Sequence, residues 1–187
     1  MAARSGIRLR TLVLLLLAWS AVLPGCRSQE YAQSDLFYEV FRDDSSTFRG
    51  LYLGEPVETA VAREPAASLR YQDRLGASYV VQLSEGSLLL LDYYANYLKD
   101  PANPSGLASI VANILMEDEV ETARLYSELV AHFNQRYGVA SGRYGAYSWE
   151  SPGKLTPDME IILRLHEDKK GITVNFVDAG SGDPAGD

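Results

Sequence analysis

The hydrophobic period of the chain changes from helical to extended and back, and this alternation constrains the fold more than any other feature. Val57, Ala60 and Val61 lie at helical spacing behind Glu55-Pro56, which is typical of a helix start. After this segment the chain takes a period of two, as half-buried strands do. We therefore predict a short helix followed by a meander, with strands at 68–74, 78–83 and 87–97 and an entering strand at 48–53.

The segment 107–116 can be drawn as a strand or as the start of a long helix. A helix running on to Tyr137 would be roughly 30 residues long, with an acidic cluster in its middle. A strand fits better, because apolar residues occupy every second position: Ile110, Ala112, Ile114 and Met116. Asp118 and Glu121 have the spacing of a capping box. We therefore predict a strand at 107–116 and a helix that begins at Glu119.

The helix from Glu119 is predicted by an apolar stripe that recurs every four residues, at Leu125, Leu129, Phe133 and Tyr137. Gly138 follows this stripe, in the position of a helix C-terminal glycine. Three further strands are predicted, at 142–150, 158–166 and 171–177.

The order of a helix followed by strands thus occurs twice. It predicts an α+β fold in which an antiparallel sheet, or sheets, carries helices packed on one face. We expect two tandem helix-plus-meander units in one domain at 47–178, with possible repeats at 47–117 and 118–178.

This order resembles a known module. Leu53-Gly54 precedes the first helix, Tyr137-Gly138 ends the second, and Trp149 lies at the centre of a strand. In these features the chain is similar to the small lipoprotein subunit of the outer-membrane β-barrel assembly machine and to β-lactamase inhibitory proteins. The resemblance implies a non-enzymatic protein-binding role, although a fold alone does not fix a function.

The first 25 residues have the pattern of a signal peptide. Three arginines, at positions 4, 8 and 10, precede an apolar stretch at 11–24, which is shorter than the roughly 20 residues that a membrane-spanning helix needs. Leu23-Pro24-Gly25-Cys26 resembles the lipobox of bacterial lipoproteins, whose cysteine receives the lipid. An odd cysteine in an exported protein needs an explanation, and lipidation of Cys26, the single cysteine of the chain, supplies one. The alternative is an ordinary secretory signal with a stray thiol.

The expected mature protein is a lipid-anchored body in the cell envelope. Arg27 follows the cysteine where an aspartate would favour the inner membrane, so we expect the outer membrane, with the domain facing the periplasm. The predicted anchor and tether span 26–46, and a tail of small and polar residues at 179–187 is expected to be disordered. Loss of the three signal-peptide arginines leaves 14 basic against 25 acidic residues, a net charge of −11, which disfavours a nucleic-acid partner.

The usual devices of catalysis are absent from the sequence. The two histidines, His132 and His166, lack the H-E-x-x-H spacing of zinc enzymes, and no G-x-S-x-G, P-loop or G-x-G-x-x-G motif occurs. The acidic residues at 117–121 coincide with a helix start, and Asp43-Asp44 lacks the spaced ligands of a calcium loop. We expect no cofactor, no metal and no enzymatic activity.

Tyrosines supply the one functional indication. Tyr93 and Tyr94 are neighbours on a strand and must face opposite sides of the sheet, so one of them lies on the less buried face. Exposed tyrosine is enriched at protein interfaces. We predict a possible interface at Tyr93, Tyr94 and Tyr97, and a binding or assembly module with a protein partner in the envelope. The alternatives are a small-ligand carrier, with an apolar cavity between sheet and helix, and a hydrolase.

Overall fold

A computed structural model describes most of the domain and confirms the predicted fold class. It is an α+β fold in which three helices pack on one face of a single antiparallel sheet. The signal peptide, Cys26 and Tyr97 lie outside the described residues, which are 33–43, 45–96, 106–143, 146–152, 154 and 158–181.

The helices are α1, Asp35–Phe41; α2, Val57–Arg63; and α3, Glu119–Tyr137. The start and end of α3 are those predicted. Asp118 caps its first turn, because its carboxylate accepts from the backbone N–H groups of Val120 and Glu121. Gly138, with φ of 91°, terminates it in a conformation that glycine adopts at little cost. Within the described residues, no helix has both the length and the hydropathy to cross a membrane.

The eight strands form two meanders that meet at the centre of the sheet. The strand order is β1-β2-β3-β4-β8-β7-β6-β5, and every neighbouring pair is antiparallel. The first unit is α2 with β1–β4, and the second unit is α3 with β5–β8. The strands are β1, Leu69–Asp73; β2, Gly76–Gln82; β3, Leu88–Ala95; β4, Leu107–Leu115; β5, Ser141–Arg143; β6, Ala146–Ser151; β7, Met159–Leu165; and β8, Gly171–Asp178.

The core lies between the helices and one face of the sheet. Alternate residues of β3, β4 and β8 point into it, as the strand period requires. An aromatic cluster fills the space between the layers, with ring centroids 4.9–6.4 Å apart: Phe37, Phe41, Phe48, Phe133 and Phe176.

The structure confirms the strand at 107–116 and corrects two other strand predictions. The predicted strand at 48–53 is a tight turn, in which Phe48 and Leu51 form one isolated bridge around Arg49 and Gly50, both with positive φ. The predicted strand at 142–150 is instead two strands, β5 and β6, joined as a hairpin. Period-two patterns do not reveal such turns when the turn residues are themselves polar or aromatic.

The predicted tether is also corrected. Residues 35–41, which we assigned to it, form α1 and bury Leu36, Phe37, Val40 and Phe41 in the core. The folded domain therefore begins near Gln33 rather than at residue 47. At the other end, a short 3-10 helix, Ala179–Ser181, occupies the start of the predicted tail, and the rest of that tail is outside the described residues.

Candidate protein-binding surface

Among the described residues, helices cover one face of the sheet and none covers the other, which we call the open face. The strand register determines which residues lie there, because residues paired across neighbouring strands share a face. Leu90 pairs with Val80 on one side and with Asn113 on the other, and Leu88 pairs with Leu115. In the first unit, seven open-face residues are apolar or aromatic, and they are interspersed with polar residues such as Ser78, Asp92 and Asn113. We call these seven residues the apolar patch: Tyr71, Val80, Leu88, Leu90, Tyr94, Val111 and Leu115.

The apolar patch is exposed to solvent at its edges and half-buried at its centre. Tyr71 is 59% exposed, Tyr94 is 49% exposed and Leu115 is 36% exposed. Single exposed apolar residues are ordinary on protein surfaces, whereas a contiguous group marks an interaction site more often. Here Val80, Leu88, Leu90 and Leu115 are neighbours in the strand register, and the other three members lie on the same face beside polar residues.

Two carboxylates lie among the tyrosines of the patch. The Tyr71 hydroxyl donates to Asp73 at 2.6 Å, and this hydrogen bond lowers the pKa of Asp73 and raises that of Tyr71. Ser78 donates to Asp92 at 2.5 Å. Burial raises the pKa of Tyr94, and the charge of Asp92 raises it further. The patch therefore combines an apolar centre with negative charge at its tyrosine end.

The open face of the second unit differs, because most of its residues are polar or charged. Its apolar members include Ile162 and Val177, and they alternate with polar neighbours. Those neighbours are Ser148, Glu150, Glu160, Arg164, Thr173 and Asn175.

A hydrogen-bonded chain crosses this polar half. His166 Nε2 lies 2.9 Å from Thr173 Oγ1, and Thr173 donates its hydroxyl proton to Asn113 at 2.7 Å. His166 must therefore donate to the threonine oxygen, which makes it a poor base for that hydroxyl. The ring of His166 lies over Gly171 at the sheet surface.

The three tyrosines predicted for an interface fall in three different places. Tyr94 lies in the apolar patch. Tyr93 is fully buried on the helix-covered face, and its hydroxyl donates to Glu64 at 2.9 Å. The structure therefore removes Tyr93 from the predicted interface, while Tyr97 lies outside the described residues. Tyr71 belongs to the patch in its place.

Beneath the sheet, Glu64 is the centre of a buried ionic cluster that the sequence did not predict. Arg49 holds its carboxylate in a two-pronged contact at 2.8 and 3.0 Å, and Arg42 approaches it at 3.0 Å. The Arg49 guanidinium also donates to the carbonyls of Glu39 and Val40 at the end of α1. The cluster thus connects α1, the end of α2 and β3.

The cluster perturbs the ionisation of its members. Burial acts to raise the pKa of Glu64, but the hydrogen bonds and charge of Arg49, with help from Arg42 and Tyr93, outweigh it and hold this pKa below its usual value. Burial and the Glu64 charge strongly raise the pKa of Tyr93. These groups are paired with one another, so the cluster stabilises the fold, and its described members offer a reactant no unpaired group.

His132 packs inside the helical layer. It is 8% exposed, and its ring centroid lies 5.1–5.5 Å from those of Phe37, Phe41 and Phe133. Its Nδ1 lies 3.2 Å from Gln33 Nε2. His132 is therefore a packed residue beside the apolar stripe of α3.

The acidic segments also have structural roles. Asp118 caps α3, as described above, and Asp43 accepts four hydrogen bonds from Ser45 and Ser46 in a turn. These bonds lower the pKa of Asp43 against the effect of burial. In the part of the chain that the structure describes, no group of three potential ligands could hold a metal ion.

Comparison with protein-family models, with curated proteins and with solved structures gave no match to this chain.

Proposed function

We propose that the protein is a lipid-anchored, non-enzymatic binding module of the bacterial cell envelope, which holds a protein partner on the apolar patch. The observation that supports this most is the patch itself: seven apolar or aromatic side chains on the uncovered face of a rigid sheet. A sheet presents such side chains at fixed spacing, with little conformational entropy left to lose on binding.

A protein partner is favoured over a small apolar ligand. A carrier of a small apolar ligand would need a cavity between the sheet and the helices. That space is instead occupied by the aromatic rings of Phe41, Phe48 and Phe176, which pack against one another. The apolar patch is a broad strand surface. Such a surface suits a macromolecular contact, whereas small ligands usually bind in concave sites.

The expected partner presents an apolar surface with basic residues at its edge. Asp73 and Asp92 lie among the patch tyrosines, and the chain as a whole carries a net charge of −8. Charge complementarity of this kind accelerates association and selects among partners more than it adds affinity.

The predicted lipid anchor at Cys26 is compatible with a partner on the open face. Ser34 donates through both its N–H and its hydroxyl to Glu128 of α3, at 3.1 and 2.7 Å, so the folded body begins on the helical side. Six residues lie between Cys26 and Gln33, so the chain from one to the other spans at most about 25 Å when fully extended. We expect the outer membrane, with the domain in the periplasm.

The anchor is tested by expressing the chain with its own N-terminus in a bacterial host with labelled palmitate. Wild type should carry the label and sediment with membranes, and Cys26→Ala should carry none. An unlabelled, soluble wild type would overturn the lipoprotein part of the proposal.

The binding surface is tested separately, with a photo-crosslinking amino acid introduced in intact cells. Tyr94 on the patch is the test position, and Ser148 on the polar half of the same face is the matched control. We expect one defined product from position 94 and none from position 148. Leu90→Asp should abolish that product, whereas Ile162→Asp on the second unit should not.

The proposal depends on a difference in crosslinking between positions 94 and 148. Equal crosslinking at both sites, or no effect of Leu90→Asp in a variant whose circular dichroism is unchanged, would refute the patch as the binding surface. A product made of two copies of this chain would replace the envelope partner by self-association.

A further inference from the structure

A cleft of about 300 Å³ lies at the C-terminal end of α3, on the helical side of the molecule and away from the apolar patch. Three parts of the chain line it: the turn region that contains Tyr52, the last two residues of α3, and, from the second unit, Ser151, Pro152, Lys154 and Met159. The cleft therefore joins the turn before the first unit to the second unit.

The two charged residues that line the cleft are both cations, Arg136 and Lys154, in a chain with an excess of acidic residues. Lys154 Nζ lies 4.0 Å from the centre of the Tyr52 ring, a cation–π contact, and Lys154 has no carboxylate partner within the described ranges. The Arg136 guanidinium donates to the carbonyl of Ser45 at 2.8 Å and lies 5.3 Å from the Tyr137 ring centre.

The remaining lining is apolar and hydroxylic. Tyr52 and Tyr137 lie near enough for the charge of one to affect the other: burial raises the pKa of Tyr137, Arg136 lowers it, and Tyr52 raises it. Met159 adds a flexible apolar side chain, and Ser151 adds a hydroxyl group. Flat rings beside a cation provide contacts for a ligand that is anionic at one end and apolar at the other.

The helix end limits the charge of that ligand. The C-terminus of a helix carries about half a negative charge, and Arg136 and Tyr137 are the last two residues of α3. This partial charge offsets part of the charge of Arg136, so Lys154 supplies most of the attraction for an anion. A single negative charge is therefore favoured over the double charge of phosphate.

We propose that this cleft binds a carboxylate attached to a flat apolar group, with Lys154 and Arg136 facing the carboxylate and Tyr52 and Tyr137 facing the apolar group. A free aromatic acid and the C-terminal aromatic residue of a peptide both have this chemistry. The site is independent of the apolar patch and of the lipid anchor.

The test uses the purified full chain with methionine methyl groups labelled with ¹³C. Met159 lines the cleft, whereas Met116 lies at the other end of the sheet, where its N–H donates to the carbonyl of Lys170, so it serves as an internal control. The probes are benzoate, N-acetyl-phenylalanine, its neutral amide, and inorganic phosphate.

We expect both carboxylates to shift the Met159 signal in a saturable way and to leave the Met116 signal in place. Tighter binding of N-acetyl-phenylalanine would indicate a peptide C-terminus, and tighter binding of benzoate would indicate a free acid. Lys154→Met should weaken binding about fivefold, whereas Lys169→Met, in the exposed β7–β8 turn, should not change it.

Three outcomes would overturn the proposal. The first is an amide that binds as tightly as the acid, the second is phosphate that binds more tightly than either carboxylate, and the third is an unmoved Met159 signal at saturating probe. Lys154 is exposed, so its substitution leaves the fold intact, and circular dichroism verifies this.

Discussion

Replacement of Glu64 by glutamine should destabilise the domain more than any conservative change at its surface. The Arg49 side chain is 1% exposed and that of Glu64 is 0% exposed, so the pair lies outside the reach of water. Glu64→Gln keeps the size of the side chain but removes the charge that neutralises Arg49. It also turns an amide N–H₂ group towards donors of Arg49, Arg42 or Tyr93, all of which now donate to the carboxylate.

The expected loss follows from leaving a buried charge without its partner, which costs about 3–5 kcal/mol. For a domain of this size, 1 kcal/mol changes the melting temperature by about 2–4 °C, so Tm should fall by roughly 10 °C. Urea unfolding followed by Trp149 fluorescence measures the free energy directly, because this tryptophan is 3% exposed and packs on Phe133 in the core. The matched control is Glu121→Gln, which breaks an exposed ion pair with Arg124 and should cost at most about 1 kcal/mol.

A double-mutant cycle separates the ionic explanation from simple loss of packing. Glu64→Leu alone leaves Arg49 unpaired, whereas Glu64→Leu with Arg49→Met removes both charges. The double variant should be less destabilised than the sum of the two single variants. Additive losses, or a cost of Glu64→Gln below about 1 kcal/mol, would refute the reasoning.

Three further predictions concern stability. The pKa of Glu64 is lower in the folded state than the usual 4.5, so its contribution to the free energy of unfolding is present above that value and should be lost as the pH falls below it; an acid titration of urea midpoints measures this. Asp118→Ala should cost about 1 kcal/mol through loss of the α3 cap, and Asp118→Asn much less, by the same urea assay. Gly76→Ala should cost about 1–3 kcal/mol in thermal unfolding, because its Cβ would lie 2.0 Å from the carbonyl oxygen of Tyr93, whereas Gly142→Ala, with no atom nearer than 3.5 Å, should be tolerated.

The parts of the fold that the sequence predicted are those with a long local pattern. The strand at β4 and the whole of α3 follow from apolar residues at periods of two and four, reinforced by Asp118 and Gly138 at the helix ends. The helix α1 was missed although Ser34 caps it and apolar residues fill one side. Seven residues are too few for periodicity to distinguish a helix from a polar tether, and α1 is stabilised by tertiary contacts with α3.

The candidate site was only partly accessible from the sequence. Alternation along β3 showed that Tyr93 and Tyr94 face opposite sides, but the buried side could be assigned only once the helices were placed. The bulge between Leu69 and Tyr71 moves Tyr71 onto the open face, and such a shift has no sequence signature. The pairing of Arg49 with Glu64 joins residues 15 positions apart in irregular segments.

The tandem arrangement provides an internal comparison for the role of the apolar patch. The same helix-plus-meander architecture occurs twice in one sheet, and the open face of the second unit is mostly polar. There β6 and β7, the counterparts of β2 and β3, pair Glu150 with Glu160, whereas β2 and β3 pair Val80 with Leu90. Folding of this architecture therefore does not require an apolar open face. Apolar side chains on four adjacent strands that the fold does not need, three of them exposed, favour aggregation unless a partner covers them. This is the physical reason to expect that Leu90→Asp abolishes binding while the domain, whose core lies on the other face of the sheet, stays folded.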